Sequence, residues 1–153
     1  MKVFNEVRAP RRLAIAAAVM VAVGFGATVA PAVASAGTAT SSTGYYTDNG
    51  RGYFNRAEIS TSVGRAIASS IVGTSNGQGA PGGWMGARAR LFSSNGALVQ
   101  ESSTSYSGAN AYQLSIPTSR NAGGTWYSYG VTYGWNGSGY NAHYTFQSPN
   151  QNS

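Results

Sequence analysis

The chain has no cysteine, which rules out a disulfide framework, a thiolate metal site and a lipid-modified cysteine anchor. It is also short of charge. Only 9% of its residues are Asp, Glu, Lys or Arg, the acids number four, and there is one histidine, His143. A glycosidase needs two carboxyl groups placed across a sugar bond. Beyond residue 36 the acids are Asp48, Glu58 and Glu101, and Glu101 is expected to pair with Arg90. A serine hydrolase needs a base beside its nucleophile. His143 has no acid near it in sequence to orient it, so it is expected to be a solvated surface group. Zinc needs several His, Cys or acidic ligands at suitable spacing, and the sequence offers no such set. Gly77, Gly79 and Gly82 match G-x-G-x-x-G, but Pro81 and Gly83 preclude the helix start that would hold a phosphate. No catalytic residue, metal or cofactor is assigned, and the protein is expected to be non-enzymatic.

The first residues read as an export signal. "MKVFNEVRAPRR" carries Lys2, Arg8, Arg11 and Arg12 against Glu6, an apolar run follows over 13–30, and "PAVASAG" places Ala34 and Ala36 in a small-x-small cleavage pattern. Residues 1–36 are expected to be a signal peptide, the protein to be secreted and extracellular, and no membrane span to remain after removal. The Arg11-Arg12 pair leaves general secretory and twin-arginine export both open. The formal charge of +6 for the whole chain then falls to +3, from Arg51, Arg56, Arg65, Arg88, Arg90 and Arg120 against three acids. Such a charge suits anionic polymers of a cell envelope, but the unclustered arginines do not fit a nucleic-acid-binding profile.

Glycine and aromatic residues are abundant. There are 21 glycines, and all ten tyrosines and three tryptophans lie beyond the signal. "GTATSSTG" (37–44) is small, polar and uncharged, and is expected to be a mobile mature N-terminus. Residues 45–153 are expected to form one antiparallel β-sandwich built from hairpins. The stretch 55–73 is ambiguous. Asn55 and Glu58 fit a capping box and Gly73 a helix stop. Ile59, Val63, Ile67 and Ile71 also satisfy a period of two, and the Ser, Thr and Gly64 between them are poor helix material. The expectation is a long or bent strand pair with these four on one face.

Asn95-Gly96 signals a hairpin with a type I′ turn. Its register would set Phe92 against Val99, Arg90 against Glu101 and Met85 against Tyr106. Met85, Ala87, Ala89, Leu91 and Tyr106 would face the core, with Trp84, Arg88, Arg90 and Phe92 outside. In "GGTWYSYGVTYGWNGSGYNAHYTF" (123–146), Tyr127, Tyr129, Val131, Tyr133 and Trp135 alternate with small or polar residues, and Tyr140, Ala142, Tyr144 and Phe146 continue the row beyond a turn. Alternation of this kind marks one buried face, so the odd-numbered rings are expected inside and Trp126 outside. The candidate binding residues are Trp84, Arg88, Arg90 and Trp126, because exposed Trp with neighbouring Arg has the composition of binding hot spots.

"WMGARARLFSSNGALV", "YSYGVTYGWNGSGY" and the late "SPN" resemble the pattern of small, secreted, cysteine-free β-proteins of Gram-positive bacteria without assigned function. The resemblance covers most of 84–150 and implies location and fold rather than activity. "GGTWYSYGV" (123–131) is similar to the opening motif of lactococcin-972-type bacteriocins, which are small β-sandwiches acting at the cell envelope; here only residues 132–153 follow it. Three roles stay open: an adaptor or subunit that binds a secreted protein partner in an extracellular, antibacterial assembly; a module for cell-envelope glycan; and a bacteriocin of that type.

Overall fold

A computed structural model describes residues 36–153; the expected signal peptide, with Ala34, lies outside them except for Ala36. The described residues are all-β, without a helix, and form antiparallel sheets arranged as a sandwich. The first layer takes β1 (Thr38–Thr40), β2 (Gly44–Asp48), β3 (Arg51–Ser62), β4 (Arg65–Thr74) and, later in the chain, a long edge strand at Gln113–Arg120. The second takes β5 (Met85–Arg88), β6 (Arg90–Ser93), β7 (Leu98–Glu101) and β8 (Ser105–Tyr106). With the first-layer edge strand counted as β9, it continues with β10 (Thr125–Ser128), β11 (Val131–Trp135), β12 (Tyr140–Tyr144) and β13 (Gln151–Asn152).

In the first layer β3 and β4 form a hairpin flanked by β9, while β1 and β2 follow one another along the free side of β3. The ambiguous stretch is therefore strand, but its four apolar residues do not share a face. The turn falls at Val63-Gly64, with Gly64 at φ 70° and Val63 96% exposed. Crossing it switches the inward parity, so Ile59 is buried opposite Ala68, whereas Ile67 lies opposite Ser60 on the outer side. Within 37–44, the segment expected to be a mobile terminus, Thr38–Thr40 forms a strand paired with Glu58–Ser60.

The second layer comprises two four-stranded sheets, β13-β10-β6-β7 and β12-β11-β5-β8. Each strand of one runs on into the strand holding the same place in the other. The interruptions are Ala89, residues 129–130, 102–104 and 145–150. The two sheets are thus halves of a single layer bent along one line.

A bend would strand backbone donors without partners, which is costly inside a protein. Hydroxyl side chains take over. Ser102 donates its N–H to the Ala89 carbonyl, and its Oγ, in place of its own carbonyl, accepts the Ala89 N–H at 3.0 Å. Thr145 does the same for Gly130, with Oγ1 accepting at 2.9 Å, and Ser148 for Ser128, also at 2.9 Å. Ser107 serves Met85 in this way, and Ser41 serves Ala57 at the break between β1 and β2. The carbonyl released at each site lets the edge chain turn away without an orphaned donor on its neighbour.

Two apolar clusters lie between the layers. Tyr53 and Val72 meet Met85 and Ala87 at one end, and Ile59, Ala66 and Ala68 meet Leu91 and Trp126 at the other. At the level of the bend the layers touch through small polar groups: Ser70 Oγ donates to the Arg88 carbonyl at 2.8 Å, and Ser128 Oγ to that of Ser69 at 3.3 Å. A side chain at Gly130 would fall on the Ser70 hydroxyl.

The hairpin around Asn95-Gly96 forms with a different turn. Gly96 has φ 89°, but Asn95 is not left-handed, which excludes type I′. Gly96 N–H bonds to Ser93 O, and Ser93 N–H to Ala97 O, the pattern of a type I turn closed by a glycine bulge. Arg90 faces Glu101 as expected, whereas a bulge between Leu91 and Phe92 sets Phe92 opposite Leu98 rather than Val99. Tyr106 pairs with Gly86 rather than Met85 and is 42% exposed, so it leaves the expected core set, while Met85, Ala87, Ala89 and Leu91 are fully buried.

Replacing a bridging hydroxyl by a methyl group leaves a buried N–H unpaired. Ser41→Ala and Ser148→Ala should each cost about 1–3 kcal/mol of folding stability. The adjacent, exposed Ser42→Ala should stay within about 0.5 kcal/mol. Urea denaturation of the three variants measures the contrast, and equal values would remove the bridging hydroxyls from the account of the strand breaks.

Candidate functional site

The parity of the aromatic row is the reverse of the sequence expectation. Trp126, Ser128, Gly130, Thr132 and Gly134 point inward and are buried, while Tyr127, Tyr129, Tyr133 and Trp135 remain half-exposed on the outer side. The first layer comes too close for a side chain at two of these inner positions, Gly130 and Gly134. A Cβ at Gly130 would meet Ser70, and one at Gly134 would meet Asp48. The rings therefore occupy the outer surface of the bent layer, where they pack on one another.

On the β6–β10 side of the bend, Phe92 stacks on Tyr127 with centroids 5.2 Å apart and planes 6° off parallel, and Tyr129, in the bend itself, stacks across it on Tyr144 of β12 at 5.8 Å. The Arg90 guanidinium sits among Phe92, Tyr129 and Tyr144, at 5.5, 5.1 and 5.3 Å from their centroids. Its Nε donates to the Tyr129 carbonyl at 3.0 Å, while its own carbonyl accepts the Tyr129 N–H. Arg90 thus closes the bend as the hydroxyls do, with a side-chain donor in place of a backbone one. On the other side Tyr106 packs against Tyr140 at 4.5 Å and Tyr133 at 6.2 Å, and Trp135 meets Tyr140 edge-on at 5.3 Å. Gly86 makes room for this, since a Cβ there would meet the Tyr106 ring.

Of the four residues named from sequence, Arg88 and Arg90 lie on this outer face. Arg88 bonds to Glu101 at 3.5 Å and through Nε to Thr104 at 3.2 Å; the ion pair forms with Arg88 rather than with Arg90, the residue opposite Glu101. Trp84 is half-buried against the core around Tyr53, with the Arg51 guanidinium 5.8 Å from its ring. Trp126 is not a surface residue. It is 6% exposed inside the second apolar cluster, and its Nε1 donates to Ser153 Oγ at 2.9 Å. An indole fills the inner layer at this end, away from the close approach at the bend.

A second polar locus escaped the sequence. His143 shares the side of Asn141 and Thr145, but it is not a free surface group. Its Nε2 lies 2.7 Å from Asp48 Oδ2, its ring stacks on Tyr46 at 3.6 Å, and Asn141 Nδ2 donates to Asp48 Oδ1 at 2.6 Å. Asp48 is 4% exposed, so both carboxylate oxygens are satisfied by β12, as burial of a charge demands. The arrangement ties β2 to β12 across the layers. The partners are 95 residues apart in the chain, and no local pattern links them. Among the described residues no group of three His, Cys, Asp or Glu side chains is placed to hold a metal ion.

No protein-family model matches the chain, and comparison with curated proteins and with solved structures yields no match either.

Burial raises the Tyr46 phenol well above its ordinary value of 10.0, outweighing the hydrogen bond to Thr132 that lowers it. Burial raises Tyr53 in the same direction, and its hydroxyl has no hydrogen-bond partner among the described residues. The unfolded chain releases these protons at the ordinary value and the folded chain does not. The associated stability is complete below pH 10.0 and is lost as the pH rises through and beyond it. Ultraviolet titration of the ten tyrosines should show a late ionisation step that coincides with loss of near-ultraviolet dichroism. Tyr46→Phe should shrink that step by one residue. Reversible ionisation of all ten in the folded protein would contradict the burial of these two.

Proposed function

We propose that the protein is a secreted, non-enzymatic binding protein that engages a protein partner through the tyrosine-rich outer face of its bent layer. The observation carrying this reading is the position of the rings. Phe92, Tyr106, Tyr127, Tyr129, Tyr133 and Tyr140 lie on one outer face, braced by stacking on each other or on Arg90 and Tyr144. Tyr, Trp and Arg dominate the energetics of protein interfaces, and Lys and acids are depleted there. Rings already held by their neighbours lose little rotamer freedom on binding, so their contact area is converted efficiently into affinity. Arg88 and Arg90 against the single acid Glu101 give the face a positive balance suited to a partner with acidic groups around an apolar centre. The extracellular setting is supported by the basic, apolar and small-x-small succession at the start of the chain.

Immunoprecipitation from the culture medium of the producing host, followed by size-exclusion chromatography and mass spectrometry, should recover a defined secreted protein at fixed stoichiometry. Tyr106→Ala and Tyr127→Ala should each weaken the complex by about 30-fold, the scale of a hot spot. Tyr112→Ala, an exposed ring outside this face, should leave it intact. Elution of the native protein as a lone species, or equal retention of partner by all three variants, would overturn the reading.

A further inference from the structure

Between the edge strands β2 and β12 the two layers part, leaving a cleft of about 620 Å³, a volume within the range of small-molecule sites. Its walls and floor differ in chemistry. Tyr45, Tyr144 and Phe146 line it with rings that are 73%, 59% and 56% exposed. Asn55, His143 and Tyr46 line it deeper in.

Asn55 is the informative residue. It is 2% exposed, and its amide nitrogen is engaged with Thr132 Oγ1 at 2.9 Å and the carbonyls of Tyr144 and His143 at 3.3 and 3.4 Å. Those contacts fix the orientation of the amide, and its Oδ1 then faces Gly44, where any Cβ would collide with it. Among the described residues nothing donates a hydrogen bond to this oxygen. The side chain is otherwise buried, and this oxygen, without a protein donor, is an acceptor open to a cleft whose outer walls are aromatic.

A ligand that matches both surfaces brings a hydrogen-bond donor to the floor and an apolar face to the rings. The cleft lining contains no Lys, Arg, Asp or Glu, and the one histidine in it is held by Asp48, so nothing in it selects an ionic ligand. A purely apolar side chain would leave the Asn55 oxygen unpaired. We propose that this cleft is a binding site for a neutral saccharide, with a pyranose ring stacked on Tyr45 or Phe146 and a hydroxyl or acetamido N–H donating to Asn55 Oδ1. The site adjoins the outer face at Tyr144, but its floor lies between the layers, and it does not depend on the partner reading above.

The test uses the protein as isolated from its host, titrated separately with tetrasaccharides of N-acetylglucosamine and of β-1,4-linked glucose and followed by NMR. Saturable shifts should appear at the Asn55 side-chain amide, the Gly44 amide and the Ala142 methyl with at least one of the two. Response to the first alone identifies an acetamido donor, and response to the glucose tetramer identifies a hydroxyl. Phe146→Ala and Tyr45→Ala remove exposed rings and should lower affinity about five- to tenfold with little change in melting temperature. Trp135→Ala, on the outer face, should leave affinity unchanged. The absence of saturable shifts with both sugars at millimolar concentration would overturn the proposal. So would shifts confined to Tyr106 and Trp135 that persist in Phe146→Ala.

Discussion

The molecule depends on one substitution in its backbone hydrogen bonding: a serine or threonine hydroxyl stands where a strand carbonyl would. At Ser41, Ser102, Ser107, Thr145 and Ser148 the residue keeps its N–H in the ladder and offers Oγ to the N–H opposite. Buried donors must be satisfied, so a strand without this device either runs on or ends in solvent. With it, all four positions of the second layer break at one level and the layer bends as a unit. Small side chains then reach across the sandwich, and Ser70 and Ser128 join the layers through hydrogen bonds to backbone carbonyls. A chain without cysteine is fastened there by hydroxyls rather than by disulfides.

The close approach at the bend decides where the rings go. Gly130 and Gly134 face Ser70 and Asp48 at distances that admit no Cβ, so the alternate positions, tyrosine and tryptophan, must face outward. In most half-buried strands the larger apolar set is the inner one. Here the inner set is small and polar, and the rings form a packed surface of their own around Arg90. Exposed apolar area of this kind is uncommon on a protein with no use for it, which is why the outer face, rather than the Asp48–His143 pair, carries the functional reading.

These facts define what the sequence made legible. Strand rather than helix at 55–73, the all-β class, the hairpin at Asn95-Gly96 and the Arg90–Glu101 register followed from turn chemistry and from side-chain types, which act locally. The inward face of Met85, Ala87, Ala89 and Leu91 followed as well, because a run with alanine and leucine on one parity and arginine on the other has a single sensible orientation. The row from 126 to 146 has two. Period-two alternation states that two faces differ, but which face is inner depends on the distance to the opposite layer, set by residues such as Ser70 that lie far off in sequence. Trp126 lies inside for the same reason, and the pairing of His143 leaves no local trace because its acid, Asp48, comes from another strand. The Phe92 register slipped by a single bulge, since Asn-Gly is compatible with more than one hairpin turn.

The bend and the cleft share a cause. β12 ends at Tyr144 because Thr145 turns inward, 3% exposed, and gives its hydroxyl to the Gly130 N–H. Had Thr145 stayed in the ladder through its carbonyl, Phe146 would continue the outer row beside Tyr144. Released by the break, Phe146 comes instead to the mouth of the cleft, near Gly44 and opposite the β2 edge. The carbonyls of His143 and Tyr144, on the strand that the break terminates, accept the Asn55 amide and so aim its oxygen at Gly44. One threonine hydroxyl thus closes the bend that displays the tyrosine face, places an aromatic wall, and ends the strand that orients the polar floor. Binding at either surface would act on the same short segment, residues 143–146, and coupling between the two would pass through it.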